Sequence, residues 1–381
     1  MRFAHFADCH IGAWREDKLK KLNLKAFQSA IQICIEKQVD FILISGDLFN
    51  TALPDINYIK QCVQELKLLK DKNIRTYIIP GSHDFSPSGK TMLDVLEKAD
   101  LVTNTMQYRD HKLTFTQDPT GAKIVGIYGR KGGLDREEYK MLDKPALEQE
   151  PGFKIFMFHT AINEFKPDPR IPGEPVTSLP NNFQYYAGGH VHYIFRKELN
   201  NGIITYPGAL FPNNFKELEE WKHGGLYLYD QTLEYIPIKL KEVLSVTIDV
   251  NGQTPEQAEE TIKQNLNIDA KDKIVTIRIK GELDGKPSDI NLKKILKLDS
   301  YITLRNTAKL TSKKSKQTDM KQGTVEEIET EIINENEQSD LIPILMKTLD
   351  KEKQEGEKVA DFEKRIVHDA SQIIEIWNLK N

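Results

Sequence analysis

Short apolar runs alternate with amphipathic stretches along the first 240 residues. The apolar runs that predict buried strands are "FILIS" (41–45), "TYIIP" (76–80), "KIVGIYG" (123–129), "KIFMFH" (154–159) and "FQYYAGG" (183–189). Helical periodicity lies between the first of them, in residues 25–38 and 56–72. Continuous apolar strands separated by helices are typical of a sheet that is covered on both faces. The pattern therefore predicts a layered α/β domain over residues 1–240.

A different pattern begins at residue 244. It predicts strand, helix, strand and helix in the order 244–250, 254–266, 273–283 and 289–298. The first helix carries Thr254 at its N-cap, Pro255 at the first helical position and Gln257 three residues after the cap, which are strong start signals. We expect a small, separate α+β domain over residues 244–305.

Residues 306–340 have the composition of a charged linker. A basic run, "KLTSKKSK" (309–316), precedes residues 326–340, which carry seven acidic side chains and no Lys or Arg. Such charge runs are solvated rather than packed. Residues 341–381 return to apolar, helical sequence, so we predict a helical tail beyond the linker.

The predicted tail carries a continuous apolar stripe in steps of three and four residues. The stripe consists of Val359, Phe362, Ile366, Ala370, Ile373 and Trp377. A stripe of this width demands burial. It could pack back on its own chain, but the linker detaches it and a segment of this size cannot bury it alone. Both interpretations stay open on the residues alone; if a partner binds the tail, we expect Phe362, Ile366, Ile373 and Trp377 as its contacts.

Composition and charge restrict the class of protein. With 381 residues, 39% hydrophobic and 29% charged, the chain is expected to be globular with two or three domains. No apolar run approaches the roughly 20 residues that cross a bilayer, and "MRFAHFADCH" lacks a secretory leader, so we expect a cytoplasmic location with no membrane partner. Cys9, Cys34 and Cys62 lack CxxC spacing, which argues against a disulfide scaffold or a thiolate zinc site. A net charge of −4 argues against a uniformly basic nucleic-acid binder, but a local patch or metal ions can still attract DNA.

Histidine and aspartate recur where predicted strands end. The strand ends carry Asp8 and His10, then Asp47, then Ser82, His83 and Asp84, then His159, and finally His190 and His192. In extended backbone, residues i and i+2 point to the same face, so Asp8 and His10 are expected to reach one point. Open α/β sheets bind ligands beyond the carboxyl ends of their strands. We therefore expect these side chains to form one site.

The donor types in this set indicate a metal centre. Each residue taken singly could be an ordinary polar turn, but imidazole and carboxylate without thiolate suit manganese, iron or zinc. One tetrahedral zinc needs roughly three or four ligands, and more candidates are present even before Ser82 is counted. Two metals about 3.5–4 Å apart need a bridging carboxylate, and Asp47 is the predicted bridge.

The ordered motifs D-x-H, GD, G-x-H-D, H and G-H-x-H, between residues 8 and 192, resemble the calcineurin-like metallophosphoesterase superfamily. The resemblance implies a layered metallophosphoesterase sandwich with two metal subsites. It implies one metal bound by Asp8, His10, Asp47 and His192, and another bound by Asp47, residue 82, His159 and His190. It also implies that His83 is the catalytic histidine at the leaving oxygen, oriented by Asp84. Ser82 departs from the family, which has Asn there, and a serine hydroxyl is a shorter and weaker ligand.

Within the superfamily the nearest resemblance is to the archaeal meiotic-recombination-eleven nucleases, counterparts of bacterial SbcD. It rests on "MRFAHFADCHIG", on "DFILISGDLFN", and on a small domain followed by a helical tail. It implies a two-Mn²⁺ DNA exonuclease and single-strand endonuclease of double-strand-break repair. The small domain would cap the nuclease, the tail would bind a coiled-coil ATPase of the Rad-fifty type, and helices near the second and third motifs would form a homodimer. Many members have His at the position of Asn50, so we expect Asn50 to position DNA without donating a proton.

Two other classes stay open at this point. A phosphatase or phosphodiesterase acting on small esters would use the same metal motifs but would leave the small domain and tail unexplained. A DNA-binding scaffold subunit is the alternative if Ser82 weakens the second metal subsite. Manganese-dependent cleavage of DNA, compared with phosphate release from small esters, distinguishes these classes.

Overall fold

Two β-sheets form the body of the protein. The computed structural model describes residues 1–85, 91–109, 112–129, 136–313, 341–351, 353 and 359–378. Within this part the chain divides into two compact units, Met1–Thr311 and Ser312–Asn381. The described strands form two six-stranded sheets, one three-stranded sheet and two short strand pairs.

The first six-stranded sheet contains the N-terminal strand. Its spatial order is β16 (Thr232–Ile238), β15 (Gly224–Asp230), β1 (Arg2–Phe6), β2 (Phe41–Ser45), β3 (Arg75–Ile79) and β4 (Thr103–Asn104). β1 to β4 are parallel, and β15 pairs antiparallel with β1. Every residue of β2 is buried, which explains why its sequence is a continuous apolar run instead of an alternating one.

The second six-stranded sheet packs face to face with the first. Its spatial order is β13 (Phe195–Leu199), β14 (Gly202–Tyr206), β12 (Tyr185–Gly189), β9 (Lys154–His159), β8 (Lys123–Gly126) and β7 (Thr116–Gln117). β8, β9, β12 and β14 are parallel. Phe41 and Tyr77 of the first sheet share one apolar core with Ile155 and Tyr185 of the second. The predicted layered α/β sandwich is therefore confirmed.

Helices complete the layers on each sheet. Those sharing a core with the first sheet are α1 (Asp17–Glu36), α2 (Ile56–Asp71) and α3 (Met92–Lys98), and those near the second are α4 (Arg136–Lys140) and α5 (Lys144–Gln149). A short helix, α6 (Phe215–Glu220), lies between β14 and β15. The minor elements are β5 (Gln107–Arg109) with β6 (Lys112–Thr114), β10 (Ala161–Ile162) with β11 (Gly173–Glu174), and a 3₁₀ turn at Val176–Ser178. The predicted helices are present, although α1 begins before the periodic stretch.

The strands and helices from residue 243 to residue 312 form what we call the small module. They are β17 (Val243–Asp249), α7 (Pro255–Asn265), β18 (Ile274–Leu283), a 3₁₀ turn at Pro287–Asp289, α8 (Leu292–Ile295) and β19 (Ile302–Ser312). The predicted capping box is formed by Thr254 and Gln257 at the start of α7. β19 is an edge strand of mixed polarity that the sequence did not predict, and it runs into residues assigned above to the linker. The predicted domain boundaries themselves stay predictions.

The second unit contains the helical tail. Its described helices are Ile342–Leu349 and Val359–Asn378. Phe362, Ile366, Ile373 and Trp377 are half-buried in the longer helix. Most of the predicted linker, residues 314–340, lies outside the described residues. Among the helices that are described, none is long and apolar enough to cross a membrane.

Candidate metal centre

The candidate ligands follow the carboxyl ends of neighbouring strands in both sheets. β1, β2 and β3 are followed by Asp8 and His10, by Asp47 and by His83, while β9 ends at His159 and β12 is followed by His190 and His192. Three overlapping groups hold ligand atoms within 4.8 Å of one another: Asp8–His10–His192, His10–Asp47–His83 and Asp8–Asp47–His159. Within the described residues, the fold thus brings six predicted site residues into one cluster.

Asp47 lies at the centre of this cluster. Its Oδ2 atom is 3.6 Å from His10 Nε2 and 3.2 Å from His159 Nε2. The Ser82 hydroxyl donates to the same oxygen at 3.3 Å, and the His83 backbone N–H donates to Oδ1 at 2.7 Å. One buried carboxylate therefore faces histidines from both sheets, which is the placement that a bridging ligand needs.

The backbone at the centre adopts left-handed conformations. Asp8, His10, Asp47 and His190 have φ values of 50°, 43°, 52° and 83°. Such values are uncommon outside glycine and cluster at functional sites. The expectation that Asp8 and His10 converge by strand alternation was wrong: β1 ends at Phe6, and left-handed residues turn the two side chains together.

Two glycines make room for the ligands. A Cβ atom at Gly46, where φ is 87°, would collide with the His159 ring. A Cβ atom at Gly81 would collide with the Asp47 backbone and carboxylate. Glycine is required at both positions because the backbone there lies directly against a site residue, His159 at Gly46 and Asp47 at Gly81. This explains why glycine directly precedes the site residues in "SGD" and "PGSHD".

Hydrogen bonds at Nδ1 fix the orientation of three imidazoles. His159 donates to the Ser45 carbonyl at 2.7 Å, His83 to the Asn50 carbonyl at 2.8 Å, and His192 to Glu217 Oε1 at 2.9 Å. Each bond assigns a proton to Nδ1 and leaves the lone pair of the neutral ring on Nε2. Metal-binding histidines are commonly oriented in this way.

The buried nitrogens of the cluster fit a cation. His159 Nε2 is buried without a hydrogen-bond partner, although it lies 3.2 Å from Asp47 Oδ2. His10 Nε2 and His192 Nε2 face each other at 3.2 Å, a contact that is favourable only when a proton or metal ion lies between the lone pairs. The Asp8 carboxylate is fully buried beside them, and an uncompensated buried carboxylate is costly. These donors therefore suit a divalent metal ion.

The cluster has a buried floor and an open rim. Asp8, His10, Asp47 and His159 are buried, whereas His83, His190 and His192 are half-buried. The His190 ring lies beside the His159 ring, with centroids 5.2 Å apart, and its backbone N–H donates to both Asp8 oxygens at 3.1 Å. His190 is thus adjacent to the three groups without belonging to them.

Asp84 contacts loop backbone and not the His83 ring. Its Oδ2 atom accepts hydrogen bonds from the N–H groups of Gly81 at 2.8 Å and Asp47 at 2.9 Å. The His83 ring is held instead by the Asn50 carbonyl at 2.8 Å. Asp84 can therefore orient His83 only by holding the loop that carries both residues. Asn50 holds the His83 ring through its backbone carbonyl. The chemical roles of His83, Asp84 and Asn50 stay predictions.

Glu217 is a site residue that the sequence analysis missed. It lies on α6 and accepts the Nδ1–H of His192, while its other oxygen accepts the Asn213 backbone N–H at 2.7 Å. A carboxylate behind a metal-binding histidine is a recurrent arrangement. No motif marked Glu217, because it lies 25 residues after its partner and on a helix of six residues.

In the absence of metal, burial and neighbouring charges shift the pKa values of the site residues in different directions. Burial raises the pKa of Asp8 to about 6. Burial opposes protonation of His159, but the Asp47 and Asp8 carboxylates outweigh it and raise its pKa to about 10. Burial also works against ionisation of Asp47, yet His159 and His10 hold the pKa of Asp47 below its usual range. Without metal, these carboxylates therefore favour the protonated form of His159.

The comparison with protein families agrees with this geometry. Residues 1–193 match the calcineurin-like phosphoesterase family, and the chain belongs to that family. The matched stretch spans the site from Asp8 to His192. The fold of this family implies divalent metal cofactors, as the donor set does.

Within that class the chain is similar to archaeal proteins named DNA double-strand break repair protein Mre11. It is 31% identical to that of Methanocaldococcus jannaschii over 265 residues, which are 65% of this chain and 69% of the relative. It is 28% identical to that of Methanococcus maripaludis over 298 residues, 75% and 72% of the two chains. It is 26% identical to that of Sulfolobus acidocaldarius over 317 residues, which are 79% of this chain and 80% of the relative. The predicted resemblance is confirmed.

Asp47→Asn should weaken metal binding at both subsites, because Asp47 Oδ2 lies 3.6 Å from His10 Nε2 and 3.2 Å from His159 Nε2, closer to both rings than Asp8 Oδ1, which is 4.0 Å from each. Calorimetric titration with Mn²⁺ measures this. Asp100→Asn, at an exposed carboxylate paired with Lys70, is the matched control and should bind as the wild type does. Loss at one subsite with the other unchanged would contradict a bridging role.

Metal uptake near neutral pH should release protons, and metal affinity should fall as pH is lowered. Metal ligands must be deprotonated, so His159, with its pKa raised to about 10, must lose its proton. Burial opposes protonation of His192, but Glu217 and Asp8 raise its pKa to about 9, which adds a second competing proton, and Asp8 adds a third below about pH 6. Calorimetry at pH 7 in buffers of different ionisation enthalpy counts the protons released. An affinity independent of pH, with no release, would refute this account.

Proposed function

We propose that this chain is a divalent-metal-dependent nuclease that cleaves DNA during double-strand break repair. The observation that carries the proposal is the cluster of buried carboxylates and imidazoles around Asp47, at the shared edge of both sheets. Similarity to archaeal proteins named for DNA double-strand break repair supports DNA as the substrate. The proposed reaction is hydrolysis of a phosphodiester, as an exonuclease and a single-strand endonuclease.

We infer two bound ions, with Mn²⁺ as the working ion. Asp8, His10 and His192 would hold one ion, His159 and His190 with the Ser82 hydroxyl would hold the other, and Asp47 would bridge them. Divalent ions at such a centre neutralise phosphodiester charge and activate the attacking water. The support is that Asp47 Oδ2 lies within 3.6 Å of an imidazole nitrogen from each sheet. Ser82, whose hydroxyl donates to this same oxygen, would be the weakest ligand.

His83 is the proposed proton donor to the leaving oxygen. Its ring lies at the half-buried rim, 4.9 Å from the His10 ring centroid and nearly perpendicular to it. The Asn50 carbonyl holds its Nδ1–H, so the imidazolium form retains a second proton on Nε2. As the attacking water bonds to phosphorus and the P–O bond breaks, that proton would neutralise the departing alkoxide.

A cavity beside Asn50 is compatible with a nucleic-acid substrate. A cavity of about 630 Å³ is lined by Asn50, Thr51 and Tyr58, and also by Lys20 and Lys21 of α1. Lysines contact nucleic-acid phosphates without reading sequence. Asp17 and Asp55 line the same cavity, so charges of both signs face it. The metal ions would therefore supply most of the electrostatic attraction for phosphate.

The tail and two core helices suit protein partners. We propose that the tail stripe binds a coiled-coil ATPase of the Rad-fifty type, because Phe362, Ile366, Ile373 and Trp377 stay half-buried in this chain. We also propose a homodimer through α2 and α3, on which Leu68 is 47% and Val95 is 55% exposed. The small module would cap the nuclease and help hold DNA.

His83→Gln should keep Mn²⁺ and DNA binding but lower DNA cleavage about 10²- to 10⁴-fold, the usual range for a lost acid–base group. The measurement is single-turnover cleavage of labelled DNA with Mn²⁺. His223→Gln is the matched control, since His223 bonds to the Gly224 carbonyl and belongs to none of the three ligand groups. Cleavage that survives within about tenfold would rule out this role.

The same preparation tests the class of substrate. Release of phosphate from p-nitrophenyl phosphate should be negligible beside DNA cleavage if DNA is the substrate. Faster turnover of the small ester would favour a phosphatase, and metal binding with no hydrolysis of either would favour a scaffold.

Removal of residues 341–381 should abolish binding of the ATPase and leave Mn²⁺-dependent DNA cleavage by the remaining chain. In the full chain, the double variant Phe362→Ala/Trp377→Ala should weaken ATPase binding, because aromatic anchors dominate such contacts. Glu363→Ala, at an exposed residue beside the stripe, is the control. Pull-down and calorimetry measure both effects, and full-strength binding by the shortened chain would refute the assignment.

A further inference from the structure

The short helix α6 contacts the candidate metal centre and the small module at the same time. Asn214 caps its start by accepting the Glu217 N–H at 3.0 Å, and Leu218 is fully buried. Glu217 and Glu219 are two positions apart, which places them about 200° apart around a helix of about 3.6 residues per turn. The two carboxylates therefore leave α6 on opposite sides.

On one side, Glu217 fixes the ring of His192. The carboxylate accepts His192 Nδ1–H at 2.9 Å, and its side chain is only 14% exposed. The Asn213 backbone N–H holds the second carboxylate oxygen at 2.7 Å. His192 Nε2 is thereby directed to the buried Asp8, whose Oδ1 lies 3.7 Å away.

On the other side, Glu219 binds Arg278 of β18 in the small module. Arg278 Nε lies 3.1 and 3.2 Å from the two Glu219 oxygens, and Nη2 bonds to the second of them. The guanidinium carbon lies 5.2 Å from the centroid of the Phe215 ring. Both charged side chains are less than a quarter exposed. A bidentate, shielded and stacked pair of this kind is stronger than an exposed ion pair.

A second contact joins the small module to the core without using α6. Lys18 of α1 donates through Nζ to the Tyr301 carbonyl, and the Tyr301 hydroxyl donates to the Lys18 carbonyl at 3.2 Å. The Lys18 ammonium also lies 5.2 Å from the centroid of the Tyr301 ring. Besides the apolar core that Val243 and Ile274 share with the first sheet, these are two polar attachments of the module, of which the Arg278 attachment leads to His192.

We propose that Glu217 is a positioning residue for His192, and that α6 makes the metal subsite of Asp8, His10 and His192 sensitive to the docking of the small module. A helix of six residues is too short to hold its place by its own hydrogen bonds, so the side-chain contacts of Glu217, Leu218 and Glu219 decide where it lies. When Arg278 is displaced, Glu219 and the rest of α6 move with it. Glu217 is then shifted, and the His192 ring that it holds changes orientation. The inference rests on the metal centre proposed above.

The first test measures Mn²⁺ affinity of full-length Glu217 variants by calorimetry, with electron paramagnetic resonance to distinguish the two ions. Glu217→Ala should weaken one subsite about 10- to 100-fold and leave the other unchanged. Glu217→Gln should lose less, because its amide oxygen still accepts the His192 proton. Equal affinities in wild type and both variants would overturn the positioning role. A wild-type chain that binds no Mn²⁺ would remove the metal centre itself, and this inference with it.

The second test separates coupling from general loosening of the module. Arg278→Glu should weaken the same subsite about threefold or more, and the charge swap Glu219→Arg/Arg278→Glu should restore it. Lys18→Ala, which removes the ammonium group from the other attachment, should leave Mn²⁺ affinity within about twofold, since it lies outside the coupled contacts. Thermal unfolding checks that each variant is folded. An unaltered affinity in Arg278→Glu, no recovery in the charge swap, or an equal loss in Lys18→Ala would refute the coupling.

Discussion

The architecture depends on a carboxylate that is buried where two sheets meet. Asp47 follows β2 of the first sheet, yet its Oδ2 atom lies 3.2 Å from His159 of the second. A charge removed from water in this way is tolerated only if other groups compensate it. Here the compensation comes from His10, His159 and the His83 N–H. The two sheets must therefore hold their carboxyl ends in register for Asp47 to be stable, and the same register forms the candidate metal centre.

The local backbone follows from that requirement. Left-handed φ angles at Asp8, His10 and Asp47 cost energy that ordinary turns avoid. Asp84 helps to hold the conformation of Asp47, because one Asp84 carboxylate oxygen accepts the N–H groups of both Gly81 and Asp47. Strain and burial are thus concentrated at the same few residues, where binding of divalent cations would offset the burial of charge. We regard this concentration as the physical signature of the site.

Two kinds of feature could be predicted from the sequence: strands with continuous apolar runs, and site residues that follow the ends of strands. Continuous apolar runs identified β2 and β9 with the bounds found in the structure, because full burial on both faces leaves a plain signal. Parallel strands end at one edge, so the meeting of Asp8, Asp47 and His159 could also be predicted. The left-handed turn after β1 could not, since aspartate and histidine are common in extended backbone too. β19 was missed because an edge strand of mixed polarity has no apolar run, and Glu217 because its contact is long-range.

The central claim is that this chain holds two divalent ions bridged by Asp47. Anomalous diffraction at the manganese absorption edge, from crystals grown with Mn²⁺, tests it most directly. The account predicts two peaks about 3.5–4 Å apart, both within coordination distance of Asp47, with His192 beside one and His159 beside the other. A single peak, or peaks away from Asp47, would contradict it.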